Sequence, residues 1–194
     1  MKTRYKIGLI LSSIILNLSV YGQTHEFSKN SIKVGIGIGG ASTKKTYGFG
    51  FVYTIGYQRE IRKERLRFNP NFSIGHYTPK FIFDAPDQYF NSINIETNFF
   101  YDLIKIKSFS IVLGLGGLVN NTRGLIGTGG LFESNNPPSS EYINSIHFGA
   151  YLGGGVRINN SSKRTAINIM PINFHLGNKH YAETHAKIEF DFKF

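Results

Sequence analysis

The chain contains no cysteine and no tryptophan, and only two methionines and six prolines among 194 residues. Without cysteine there is no disulfide, no thiolate metal site and no Cys nucleophile. Long apolar runs are scarce as well. One stretch near the N-terminus is continuously apolar, which excludes a bundle of membrane-spanning helices. Charged residues make up 18% of the chain, and acids are the scarcer sign, 12 against 22 Lys and Arg. What is abundant is glycine (22), Phe (17) and Tyr (11). Phe and Tyr favour strands over helices. A mean hydropathy of −0.16 suits a soluble domain. It suits equally a membrane barrel, whose strands alternate apolar and polar residues and so average to neutrality.

The N-terminus has the layout of an export signal. Lys2, Arg4 and Lys6 form a basic start, Ile7 to Leu18 an apolar core, and Gly22 a small residue before a cut. The apolar core is short for a membrane anchor, which needs roughly 20 residues. The expected organisation is a signal peptide over 1–22, a short tail over 23–30 and one domain over 31–194. Losing the three basic residues lowers the formal net charge from +10 to +7. An exported protein does not meet nucleic acid where it works, so no nucleic-acid partner is expected. Anionic lipid head groups are the expected counter-charge.

Period-two alternation recurs along almost the whole of 31–194. In the last segment Ala182, Thr184, Ala186, Ile188, Phe190, Phe192 and Phe194 share one face, and Tyr181, Glu183, His185, Lys187, Glu189, Asp191 and Lys193 the other. A helix would mix these two sets. The segments beginning near Ile32, Tyr47, Arg65, Ile93, Phe109, Ile146 and Ile167 alternate in the same way. The one beginning at Ile167 slips phase at Met170-Pro171, where a bulge is expected because Pro cannot donate to a ladder. About eight strands result. Short basic connections follow strands two, four and six. Connections richer in Gly, Pro, Asn and Ser follow one, three and five, the longest expected over Val119 to Tyr142. The turn Gly177-Asn178-Lys179 is tight. The expected fold is all-β: a closed, up-and-down, antiparallel transmembrane β-barrel of about eight strands.

The apolar face should point outward. An eight-stranded barrel is just wide enough for its own side chains and has no room for so many rings. Glycines lie on the opposite face in several strands, where they would make space in a narrow lumen for Tyr151, Arg157, Glu96 and Arg67. Phe49, Phe51, Tyr53, Phe99, Phe148, Ile167, Phe190 and Phe192 are then expected to meet lipid, with Tyr47, Tyr57, Tyr101 and Phe68 in aromatic girdles. Basic turn residues (Arg59, Arg62, Lys63, Lys105, Lys107, Lys163 and Arg164) would occupy one rim. The lumen should hold paired charges: Glu96, Asp102, Glu183, Glu189 and Asp191 with Arg65, Arg67, Arg157, Lys187 and Lys193. A wide conducting pore is not expected at this strand number.

The ending Ile188-Glu189-Phe190-Asp191-Phe192-Lys193-Phe194 resembles the C-terminal signal of outer-membrane barrels. With the export signal and the strand count, the chain resembles the small outer-membrane barrel-domain proteins (OmpA-transmembrane-like, OmpX-like and PorT-like) over roughly Ser31 to Phe194. That resemblance implies an outer-membrane location and recognition of Phe190, Phe192 and Phe194 by the barrel-assembly machinery. It brings no catalytic motif.

Other chemistry is sparse. Gly35-Ile36-Gly37-Ile38-Gly39-Gly40 matches a nucleotide fingerprint in form, but no helix follows to receive a pyrophosphate. The six histidines are scattered, and no ligand spacing supports a metal. No cofactor is expected. Ser145, His147 and Glu141 lie close in sequence, yet Ser145 and His147 share a lumen-facing parity that does not suit attack on a lipid. The favoured expectation is a non-enzymatic envelope protein that serves structure, or binds a partner through its long loop and the neighbouring Thr78 to Gln88 segment. The rivals are a lipid-modifying enzyme, a component of a secretion or assembly complex, and a soluble ligand-binding barrel.

Overall fold

In a computed structural model the described residues are 29–44, 47–62, 65–78, 89–128, 139–160 and 164–194. The expected signal peptide lies outside them, as do nearly all of the 23–30 tail, residues 79–88 and residues 129–138.

Eight strands follow one another: β1 (Asn30–Ser42), β2 (Tyr47–Arg62), β3 (Leu66–Thr78), β4 (Tyr89–Ile106), β5 (Phe109–Thr128), β6 (Ser139–Asn159), β7 (Thr165–Gly177) and β8 (Ala182–Lys193). Each pairs antiparallel with the next, and β8 returns to β1 from Ser31↔Lys193 to Ser42↔Ala182, closing the barrel. Closure gives every strand two neighbours and leaves no sheet edge, the condition a β-structure must meet in hydrocarbon. The apparent nucleotide fingerprint, Gly35 to Gly40, lies wholly within β1.

The pleat sorts the side chains as the alternation predicts. Ile95 (64% exposed), Phe148 (61%) and Phe51 (52%) point out, while Asn94, Asn98 and Ser73 are fully enclosed. A soluble barrel would have the reverse arrangement, so that reading is discarded. Each outward Phe or Ile left in water would forgo about 1.5–3 kcal/mol of burial. Tyr47 stands at one end of β2, and Tyr57, Phe68 and Tyr101 sit near the other rim, where Phe68 and Phe99 rings lie 5.3 Å apart.

Between β6 and β7 the pairing passes from Gly154↔Ile172 to Val156↔Ile169, and between β7 and β8 from Met170↔Lys187 to Phe174↔Thr184. One extra residue sits in β7 at Met170-Pro171, the bulge expected there. Two other expectations need correction. The segment Val119 to Tyr142 is mostly strand: β5 runs to Thr128 and β6 starts at Ser139. Arg65 does not join the lumen. It is exposed in the turn before β3, where its carbonyl accepts from the Asp102 N–H at 2.9 Å.

Two tight hairpins mark the opposite rims. Lys107-Ser108 joins β4 to β5 with Lys107 at φ 50°. Lys179 and His180 join β7 to β8 with φ 54° and 63°. Two successive left-handed residues make the primed type of turn, whose twist matches that of the strands.

Candidate functional site

The lumen is packed with polar side chains in two tiers. Toward the rim that carries the Lys107 turn, fixed cations meet carboxylates. Arg67 Nη2 lies 2.6 Å from Asp102 Oδ1, and Arg157 pairs with Asp191. Gln58 donates to Asp191 at 3.2 Å and Ser31 at 3.4 Å. Glu189 receives both Lys33 (2.8 Å) and Lys187 (3.0 Å). All these charged groups are at least nine-tenths buried, so pairing is obligatory.

Toward the other rim the carboxylates are held by histidines and neutral donors. Glu183 Oε2 accepts from Ser92 and from Tyr181, each at 2.7 Å, and from Asn94 at 3.3 Å. Its Oε1 lies 3.2 Å from His175 Nδ1 and 3.3 Å from His185 Nδ1. The other nitrogen of His175 faces Glu96 Oε1 at 3.3 Å, and Glu96 is further held by Asn98 at 2.7 Å and Ser73 at 3.2 Å. Asn120 donates to Ser92 and to Asn94 Oδ1, each at 2.7 Å, and receives Thr122 at 2.7 Å.

Rings fill what remains. Tyr151 donates to Asn173 at 2.8 Å and lies edge-on to Phe100, 6.0 Å away. Inward glycines make that possible: a Cβ at Gly153 would meet Tyr151 Oη at 2.1 Å, and one at Gly114 would meet the Phe100 ring at 2.4 Å. Above Glu183, His147 stacks on Tyr181 at 5.0 Å. The His147 side of this stack faces a cavity of about 410 Å³, lined by Thr43, Lys44, Thr122, Ile143, Ser145, His147, Lys179 and His180.

Of the lumen residues predicted from sequence, the structure brings inside Arg67, Glu96, Asp102, Tyr151, Arg157, Glu183, Lys187, Glu189 and Asp191. Lys193 pairs instead with Glu60, 3.2 Å away, at the rim. Sequence reasoning missed Lys33 as a partner of Glu189, although its parity with Gly35 and Gly37 in β1 carried the signal. The alternation does turn His147, His175 and His185 into the lumen toward polar neighbours, as found, but it did not single out Glu96 and Glu183 as the partners of His175 and His185. The signal there was a shared-face pair, Glu183 and His185, with His175 placed directly across from Glu183 by the hairpin. Ser145 and His147 share the cavity wall, as their parity requires. Phe190, Phe192 and Phe194 are all outward and exposed.

Comparison with solved structures identifies this architecture. Neisserial surface protein A superposes with a TM-score of 0.56 at 18% identity, over 86% of this chain and 98% of the other. Ail, the attachment invasion locus protein of Yersinia pestis, gives 0.54 at 12% identity, over 87% of this chain and all of the other. The fold is that of the small outer-membrane barrels. At these identities the likeness is one of fold. No family model and no curated protein matches the chain.

Proposed function

We propose that the protein is an integral outer-membrane barrel with a sealed lumen, which supports the envelope or presents its outer surface to a partner and carries out no reaction on a substrate. The single observation that carries this reading is the pairing of an apolar outer surface, continuous around all eight strands, with a lumen filled by mutually bonded side chains. The first requires hydrocarbon around the barrel. The second leaves no aqueous channel through it, so the useful surface is at the rims.

The rims differ. Arg59, Lys105, Lys107 and Arg164 gather near the end where β1 begins and β8 finishes. On this reading that rim is periplasmic, and its cations meet anionic lipid heads, each contributing on the order of 1 kcal/mol. The opposite rim carries the long β5–β6 hairpin, with Tyr142 and Asn144 exposed on it. Presentation at a cell surface is also in keeping with the names of the two neighbours, one a surface protein and one an attachment invasion protein. The outward row Phe190, Phe192 and Phe194 is the face the barrel-assembly machinery would read.

The absence of native cysteine makes the test clean. Single Asn144→Cys and Lys107→Cys variants are treated on intact cells with a membrane-impermeant maleimide. The expected result is labelling of Asn144→Cys in intact cells and of Lys107→Cys only after permeabilisation. Recovery of the labelled protein in the soluble fraction without detergent would defeat the proposal.

A further inference from the structure

His185 presents an unsolved chemical problem. It is 3% exposed, and neither ring nitrogen has a hydrogen-bond partner. Its Nδ1 lies 3.3 Å from Glu183 Oε1 but without the alignment of a hydrogen bond. A buried imidazole left so has lost the hydrogen bonds of water and gained none in return. The arrangement becomes intelligible if Glu183 Oε1, His175 Nδ1 and His185 Nδ1 converge on something between them.

We propose that His175, Glu183 and His185 form a binding site for a divalent transition cation of the zinc class within the barrel. The ligand atoms of the three residues all lie within 4.8 Å of one another. Ligands held about 2.0–2.1 Å from a tetrahedral ion stand about 3.3 Å apart along each edge. The carboxylate oxygen already meets that spacing, at 3.2 Å from His175 Nδ1 and 3.3 Å from His185 Nδ1. Only the edge between the two histidines has to contract.

The surroundings support the same conclusion. A metal-bound histidine typically turns its other ring nitrogen to a carboxylate, which fixes the tautomer and raises ligand basicity. His175 Nε2 faces Glu96 Oε1 at 3.3 Å, and Glu96 is itself held by Asn98 and Ser73. Glu183 is anchored through its second oxygen by Ser92, Tyr181 and Asn94, so its Oε1, now bonded to His175 Nδ1 at 3.2 Å, can exchange that one contact for the ion without losing its position. Among the described residues, ion pairs to Glu96 and Glu183 come only from histidines, so no lysine or arginine already holds the place. Two nitrogens and one oxygen suit zinc, cobalt or nickel and not calcium or magnesium. Such an ion would tie β7 to β8. The inference does not depend on which partner, if any, the outer surface meets.

The test uses the full barrel without a histidine tag, refolded in detergent with and without zinc sulfate, with folding checked by heat-modifiable gel mobility. Zinc is counted by mass spectrometry after gel filtration, and a parallel sample receives cobalt(II) for its visible spectrum. The expected results are one zinc per folded barrel and a tetrahedral cobalt spectrum. His185→Gln and Glu183→Gln should each weaken binding by about tenfold or more, while His76→Gln, on the outer face, changes it less than about twofold. Should either variant fail to fold, the cobalt spectrum of the unaltered protein still decides. A folded barrel that takes up no zinc under either refolding condition would overturn the proposal. So would uptake equal in the parent and both variants, or a purely octahedral cobalt spectrum.

Discussion

The two tiers of the lumen solve one problem with different chemistry. Near the rim where β8 ends, Arg67, Arg157, Lys33 and Lys187 stand against Asp102, Asp191 and Glu189, full charge against full charge. Near the other rim, Glu183 and Glu96 are surrounded by Ser92, Asn94, Asn98, Tyr181 and histidines. In the first tier each group depends on the charge of its partner. In the second, several neutral donors share each carboxylate, and loss of one charge leaves the others bonded. The lumen therefore has an ionic end and a hydrogen-bonded end, the second beneath the cavity that His147 lines.

The comparison is broken most forcefully at Asp191. Asp191→Ala leaves Arg157 buried without its carboxylate and should cost about 3–5 kcal/mol, read as a lowered urea midpoint for the heat-modifiable band in lipid vesicles. Replacing Arg157 and Asp191 together by Met and Leu should recover most of that loss, because the penalty belongs to the orphaned charge. Ile36→Arg, mid-strand on the outer face, should cost about 2–4 kcal/mol in vesicles. A loss below about 1 kcal/mol for Ile36→Arg would mean that the outer face does not meet hydrocarbon.

Smaller effects sharpen the contrast. Gly153→Ala forces a Cβ onto Tyr151 Oη and should cost about 1–3 kcal/mol by the same assay, by displacing that ring from Asn173. Glu183→Gln in metal-free protein should cost about 1–3 kcal/mol, less than Asp191→Ala, since Ser92, Tyr181 and Asn94 still find an acceptor. If Glu183→Gln proved the costlier of the two, the tiers would not differ as described. Least of all, His180→Gly should raise the midpoint by about 0.5–1 kcal/mol, by relieving a left-handed residue in the β7–β8 turn.

Much of this was legible in the order of residues. Within the belt the alternation is strict, because lipid demands apolar residues outside and a crowded lumen demands polar or small ones inside. Even the slip at Met170-Pro171 could be placed, since a missing donor has one structural outlet. The alternation failed where β5 and β6 rise above the belt. There Asn121 and Asn144 face outward, bonded to each other at 2.9 Å, Arg123 is exposed, and Ile143 points in. Outside hydrocarbon the outer face turns polar, so a strand there reads as a loop. Arg65 was misplaced for a related reason: period two continues on paper one residue past the point where Leu66 begins the strand. Of the cluster of His175, Glu183 and His185, linear spacing shows only the same-face pair in β8, because His175 reaches it from β7 across the hairpin.

The orientation of the two faces is tested most directly with tryptophan, which the chain lacks. Tyr53→Trp places one indole on the outer face, and Phe100→Trp places one in the lumen. Both are refolded into vesicles whose acyl chains carry bromine, a quencher that acts at contact. Strong quenching of Tyr53→Trp with little effect on Phe100→Trp is the predicted result; the opposite pattern, or no quenching at either site, would contradict an apolar face turned to hydrocarbon around a polar lumen.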